Sequence, residues 1–156
     1  MQLMEKRYYE DIHVGDVVTS VGRTVTEADI VNFAGLSGDF NIIHTDKEYA
    51  ASSIAGQRIA HGLLVKSVAS GLFTRTSYNA SLAETLTALV EFRNWKMKKA
   101  VVIGDTIRVK VEITEKSDPR PEADSAKIVM CRTILNQRDE VCQTGDYVLL
   151  IKKRPA

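Results

Sequence analysis

Between Gly62 and about Thr76 the chain carries a stretch that sharply narrows the folds open to it. Leu63, Leu64, Val65, Val68, Ala69, Leu72 and Phe73 are apolar around most of a helical wheel. A helix of that kind is wrapped by other structure rather than laid on a surface. Ser67, Ser70 and Gly71 are small enough to admit a sheet at close range. The expectation is a buried central helix that the rest of the chain must surround.

The material to surround it lies mostly downstream. Ile107, Val109, Val111 and Ile113 alternate with Arg108, Lys110, Glu112 and Thr114, the two-residue rhythm of a strand with one buried face. Lys127 to Leu135 and Val141 to Ile151 are also strand-like, joined by the polar turn Asn136-Gln137-Arg138-Asp139. Leu86 to Ile103 reads as one long bent strand or two short ones, with Gly104-Asp105 as the next hairpin turn. Pro119 and Pro121 place residues 117–122 in a loop.

Upstream, the turn Val14-Gly15-Asp16 leads into a strand from Val17 to Val25. Thr26-Glu27-Ala28-Asp29 opens a helix with a hydroxyl cap and acids in the first turn, and Gly38 closes it. Thr45-Asp46-Lys47-Glu48 matches a capping box for a second short helix through Ala50. The outline is α+β: a strand, short helices, one buried helix, then an antiparallel meander that curls around it. Residues 1–156 fit one domain with one core.

Composition excludes several classes. A formal charge of +1 offers no global field for nucleic acid or an anionic membrane. No run approaches the roughly 20 apolar residues of a membrane span, and Met1 to Glu10 lacks the apolar core of a signal peptide. Cys131 and Cys142 have no CxxC spacing and read as free thiols in a reducing compartment, so the expected location is cytoplasmic. His13, His44 and His61 lack the i,i+4 pairing of a helical zinc site, and no metal is expected. GxGxxG, Walker and GxSxG patterns are absent, so no nucleotide cofactor and no serine hydrolase elbow is indicated.

Two clusters carry chemistry. Ser37-Gly38-Asp39-Phe40-Asn41-Ile42-Ile43-His44 sets a carboxylate and an imidazole five residues apart on a loop. Asp39 and His44 can hold a water and move its proton. They can equally be a Gly-Asp turn and a hydrogen-bonded loop histidine. Asn41 has a role available in closing the loop through its side chain. His61-Gly62 is the second cluster. A glycine N–H at the mouth of a buried helix can polarise a carbonyl, while His61 itself reads as structural. Ser67 lies within reach of an acid such as Asp39. Lys96, Lys98 and Lys99, with Arg93 beside Trp95, form a basic cluster: a solvated strand edge, or a contact for the phosphates of an acyl carrier.

Phe33-Ala34-Gly35-Leu36-Ser37-Gly38-Asp39-Phe40-Asn41-Ile42-Ile43-His44, with Ile59-Ala60-His61-Gly62-Leu63-Leu64-Val65-Lys66-Ser67 and Val102-Ile103-Gly104-Asp105-Thr106-Ile107, resembles the MaoC-like dehydratases, the (R)-specific enoyl-CoA hydratases of the hot-dog fold. Ile42 stands where the family often has proline. The resemblance implies a curled antiparallel sheet around a central helix. It also implies interconversion of trans-2-enoyl-CoA and (R)-3-hydroxyacyl-CoA without a cofactor, in a homodimer or higher homo-oligomer. Asp39 and His44 become the catalytic pair, Gly62 the oxyanion donor, Asn41 and Ser67 the orienting residues, and Lys96, Lys98 and Lys99 possible CoA contacts. A hot-dog acyl-CoA thioesterase and a non-catalytic acyl-CoA-binding domain are the alternatives.

Overall fold

The computed structural model describes residues 5–155. The helix at Gly62 organises them. It runs Gly62–Thr74 (α4 in chain order) and buries Leu64, Val65, Ala69, Leu72 and Phe73. Leu63, Ser67 and Gly71, spaced four apart, remain exposed, so one stripe of the helix stays open where the apolar wheel predicts full enclosure. The expected continuation to Thr76 fails because Thr76 accepts from Asn79 N–H and caps a separate helix, α5 (Ser77–Ser81).

Six antiparallel strands curl around α4: β1 (Val17–Thr19), β2 (Arg23–Thr24), β3 (Leu86–Met97), β4 (Thr106–Lys116), β5 (Ser125–Leu135) and β6 (Val141–Lys152). Their spatial order is β1-β4-β5-β6-β3, with β2 also pairing β4. This is the hot-dog arrangement, α+β with one helix inside one sheet. Ile107, Val109, Val111 and Ile113 point inward from β4 as their alternation predicts, all but fully buried.

The meander holds for β4, β5 and β6 but not for β3. β3 pairs β6, so Gly104-Asp105 is not a hairpin turn between neighbours. It is an entry turn into β4: Gly104 has φ +94°, and Asp105 Oδ2 accepts from Val102 N–H at 3.0 Å. β3 ends at Met97, and its pairing shifts register three times along its length. Asn94 takes a positive φ of 51° within the last irregularity. Opposite it, a Cβ on Gly145 would lie 2.7 Å from Trp95 Cα. Only a glycine lets the bent edge strand come that close.

The strand expected from Val17 to Val25 is split. Ser20 Oγ accepts the Val109 N–H that a continuous ladder would have used, and Val21 turns out to solvent. Upstream of the site, α1 (Glu27–Ser37) has the predicted cap: Thr26 Oγ1 accepts from Asp29 N–H while Asp29 Oδ2 accepts from Thr26 N–H. Gly38 ends α1 at φ +76°. The capping box at Thr45 does not form. Thr45 instead ends a four-residue turn, α2 (Ile42–Thr45), and donates its hydroxyl to Phe40 O and Asn41 O. Asp46 caps α3 (Lys47–Ala51) in its place, accepting from Tyr49 N–H.

The β5–β6 turn is held by charge. The side chains of Asn136, Lys99 and Arg138 all bond the Glu140 carboxylate and hold it down at about 2. A carboxyl depressed by folding adds stability above its ordinary value of 4.5 and loses it as pH falls through about 2. Glu140→Gln is therefore expected to melt below the parent at pH 7, with the gap closing on acidification toward pH 2. Thermal melts across that range check it; a gap independent of pH would assign the effect to shape alone. Both cysteines are free thiols. Among the described residues, no helix is long and apolar enough to cross a membrane.

Candidate active site

The chain leaves α1 at Gly38 and makes a tight loop before α2. Ser37 Oγ accepts from Asp39 N–H, and Asp39 Oδ1 accepts from Asn41 N–H, each at 3.2 Å. Asn41 Oδ1 then caps α2 by accepting from Ile43 N–H at 3.2 Å. Asn41 thus does hold the loop, through its backbone to the carboxylate and through its side chain to the next turn. Ile42 sits at the first position of α2, where proline is well tolerated and a capped isoleucine also fits.

His44 and His61 are both turned by carbonyl groups. His44 Nδ1 lies 2.8 Å from Ile59 O, and His61 Nε2 lies 2.9 Å from Asp39 O. A carbonyl only accepts, so each of these nitrogens carries its proton. The neutral His44 ring is left with a bare Nε2, the form a general base requires. His61 is 2 % exposed and lies between Phe33, at 5.1 Å, and His44, stacked at 3.8 Å. Its structural reading fits this packing: it pins the Asp39 backbone with one nitrogen and backs the His44 ring with its face.

A carboxylate oxygen of Asp39 and one nitrogen each of His44 and His61 fall within 4.8 Å of one another. That gap suits a bridging water. It suits one metal ion poorly, because the in-plane lone pairs of two stacked rings run side by side and do not converge at about 2.0–2.1 Å.

His61 also begins α4 but contributes no side-chain cap, and the first turn has no acid. The Gly62 N–H is the first of the helix and has no partner within it. The start of this 13-residue helix therefore has no capping side chain and no acid of its own, and the Asp39–His44 loop is tied against it by the His61–Asp39 hydrogen bond. Gln143, buried on β6, donates from Nε2 to Gly62 O at 2.9 Å and accepts from Trp95 Nε1 at 3.0 Å. It fixes the first peptides of the helix. Sequence reasoning missed it, although a glutamine in the inward phase of Val141 to Ile151 is the signal.

Beside Gly62 opens a cavity of about 400 Å³ lined by Val65, Met97, Lys98, Lys99 and Gln143 among others. A second, of about 530 Å³, shares Lys98, Lys99 and Ala100 with it. Two of the three candidate lysines thus line a cavity with Gly62, which neither Asp39 nor His44 lines, and Lys99 is also engaged with Glu140 at 2.8 Å. Lys96 does not line either cavity, because Trp95 and Met97 occupy the phase of β3 that faces α4. Ser67 is a correction too. Its hydroxyl donates to Leu63 O at 2.8 Å, one turn back along the helix. The single proton it would need to orient Asp39 is already used.

Residues 11–130 match the family described as the MaoC like domain. The chain is 40 % identical over 112 residues to protein MaoC of Klebsiella aerogenes, covering 72 % of this chain but spanning only about a third (32 %) of that protein. It is 31 % identical to an (R)-specific enoyl-CoA hydratase of Rhodospirillum rubrum, over 94 % of this chain and 93 % of that one. Its structure superposes with a TM-score of 0.87 on the monoamine oxidase regulatory protein from Archaeoglobus fulgius, 35 % identical and covering 97 % of both chains. With the family match covering most of the chain and the fold in agreement, the chain belongs to the MaoC-like dehydratase family.

Proposed function

We propose that this chain adds water to trans-2-enoyl-CoA to give (R)-3-hydroxyacyl-CoA, and runs the reverse dehydration. The observation that carries the reading is the uncapped start of α4 set against the Asp39–His44 pair. Water adds through its oxygen to C3 while the C2–C3 double bond shifts its electrons toward the thioester carbonyl. The Gly62 N–H and the helix dipole stabilise the enolate oxygen that results. One proton leaves the water for the Asp39–His44 pair and one is returned to C2, so the sum is addition of H and OH. Lys98 and Lys99 line the cavity beside Gly62, which supports the reading that they meet the phosphates of CoA.

The same reading includes a homodimer paired through β3. That strand is a sheet edge with Leu89, Val90 and Phe92 exposed, an arrangement left open to strand pairing in a lone chain.

The test is spectrophotometric. Purified protein given crotonyl-CoA should bleach the conjugated enoyl band with no release of thiol, and chiral analysis should return the R product. Thiol release would instead point to a thioesterase using the same helix end. Tight binding with neither signal would leave a non-catalytic acyl-CoA-binding domain.

A further inference from the structure

The inward face around α4 breaks its apolar pattern with two cations. β5 turns Ala126, Ile128, Met130 and Ile134 toward the core, and Arg132 occupies the same phase with only 4 % of its surface exposed. Its guanidinium lies 3.7 Å from the centre of the Tyr147 ring and 4.5 Å from that of Phe73. Its Nη1 donates to Ser70 Oγ at 3.3 Å, while Nε is buried with no partner. From the helix, half-buried Lys66 places Nζ over three rings: Phe92 at 3.2 Å, Trp95 at 4.3 Å and Tyr147 at 5.4 Å.

Neither cation has an anion. None of the ion pairs among the described residues includes Lys66 or Arg132. They act against each other instead. Burial, then the Arg132 charge, lowers the Lys66 ammonium, and burial draws the Arg132 guanidinium down to about 10. Aromatic faces attract cations but carry no net charge, so they do not neutralise two like charges side by side. Buried charges in folded proteins are paired as a rule. Arg132 is buried and Lys66 half-buried, so an anion reaching Lys66 would supply the counter-charge that the pair lacks.

Its position names the ligand. Gly62, Lys66 and Ser70, spaced four apart, form one stripe of α4, and Gln143, Tyr147 and Arg132 face that stripe from the sheet. At a rise of about 1.5 Å per residue, Lys66 lies ~6 Å and Ser70 ~12 Å along the helix from Gly62. An acyl chain that starts at the Gly62 N–H and is laid along this stripe would end among these cations, with Gln143 and Tyr147, which pack on the stripe, lining its path. We propose that the preferred substrate is an enoyl thioester whose acyl group ends in a carboxylate, received by Lys66 with Arg132 behind it. This rests on the hydratase reading of the same site and adds its specificity.

The experiment compares trans-2-enoyl-CoAs in pairs of equal chain length, one ending in methyl and one in carboxylate, on the full chain. Over some range of lengths the carboxylate member should win by about tenfold or more in kcat/KM, as expected when a charge-assisted contact separates two ligands. Lys66→Met and Arg132→Met should each bring the ratio toward one, chiefly through KM for the carboxylate member, and Arg132→Lys should restore part of it. If Arg132→Met does not fold, half-buried Lys66 carries the test. Equal kcat/KM within every pair overturns the proposal, as does a preference that survives both substitutions. A dimer that falls apart in Arg132→Met with the ratio unchanged overturns it as well, since the missing anion then belongs to a second copy. Turnover of the methyl-ended members separates this failure from that of the hydratase reading, which falls only if neither member is hydrated.

Discussion

Asp39→Asn is expected to lower kcat for crotonyl-CoA hydration by about 10²–10⁴-fold while leaving KM close to its parent value. The amide keeps the size of the carboxylate and can still accept from Asn41 N–H, the contact that fixes the side chain. What it loses is the capacity to take a proton from water. Asp39 is exposed, so the melting temperature should barely move. That separates lost chemistry from lost structure. A variant that hydrates at near the parent rate would remove Asp39 from the mechanism. His44→Ala is the less discriminating substitution, since it also strips His61 of the ring stacked on it at 3.8 Å.

The second large effect isolates a single backbone hydrogen. Gly62→Pro should cost ~10²–10³-fold in kcat, the usual consequence of removing one oxyanion donor. Gly62→Ala, which keeps the N–H, should cost far less. The comparison is clean for three reasons. Proline is accepted at the first position of a helix. His61 already holds φ −56° and ψ 135°, the extended conformation required before proline. In both variants the new Cβ meets the same neighbour, the mobile end of Met97, at 2.8 Å from Cε. Stopped assays with thermal melts decide it: equal losses in the two variants would mean that crowding against Met97, and not the donor, is what matters.

These tests fall on residues that the sequence displays with uneven clarity. Local rules placed α1 well, because Thr26, Asp29 and Gly38 carry its ends in their own side chains and backbone freedom. They placed β4 well, because its buried face repeats every second residue. They misassigned the start of α3, since Thr45 and Asp46 are both capable caps and only the tertiary loop decides between them. The partner of β3 was illegible for a different reason: Leu86 to Met97 carries three register shifts, and no local pattern says which strand an edge will join. Ser67 looked available to Asp39 by spacing, yet a helical serine has a carbonyl one turn back competing for its one proton. Lys66, Arg132 and Gln143 were readable as polar residues in apolar phase. Such departures from pattern are where a search for function properly starts.

The bare start of α4 also bears on how the fold can change over time. A serine or aspartate at position 61 would cap the helix, a substitution that commonly stabilises a protein by ~1 kcal/mol. On the proposed mechanism the cap would compete for the helix mouth that receives the enolate oxygen, and the His44 ring would lose its backing. The easiest gain in thermal robustness is therefore closed to this lineage for as long as the site is used. A descendant freed from catalysis would be expected to take it, so a capped α4 in a related sequence would serve as a marker that the chemistry has been abandoned.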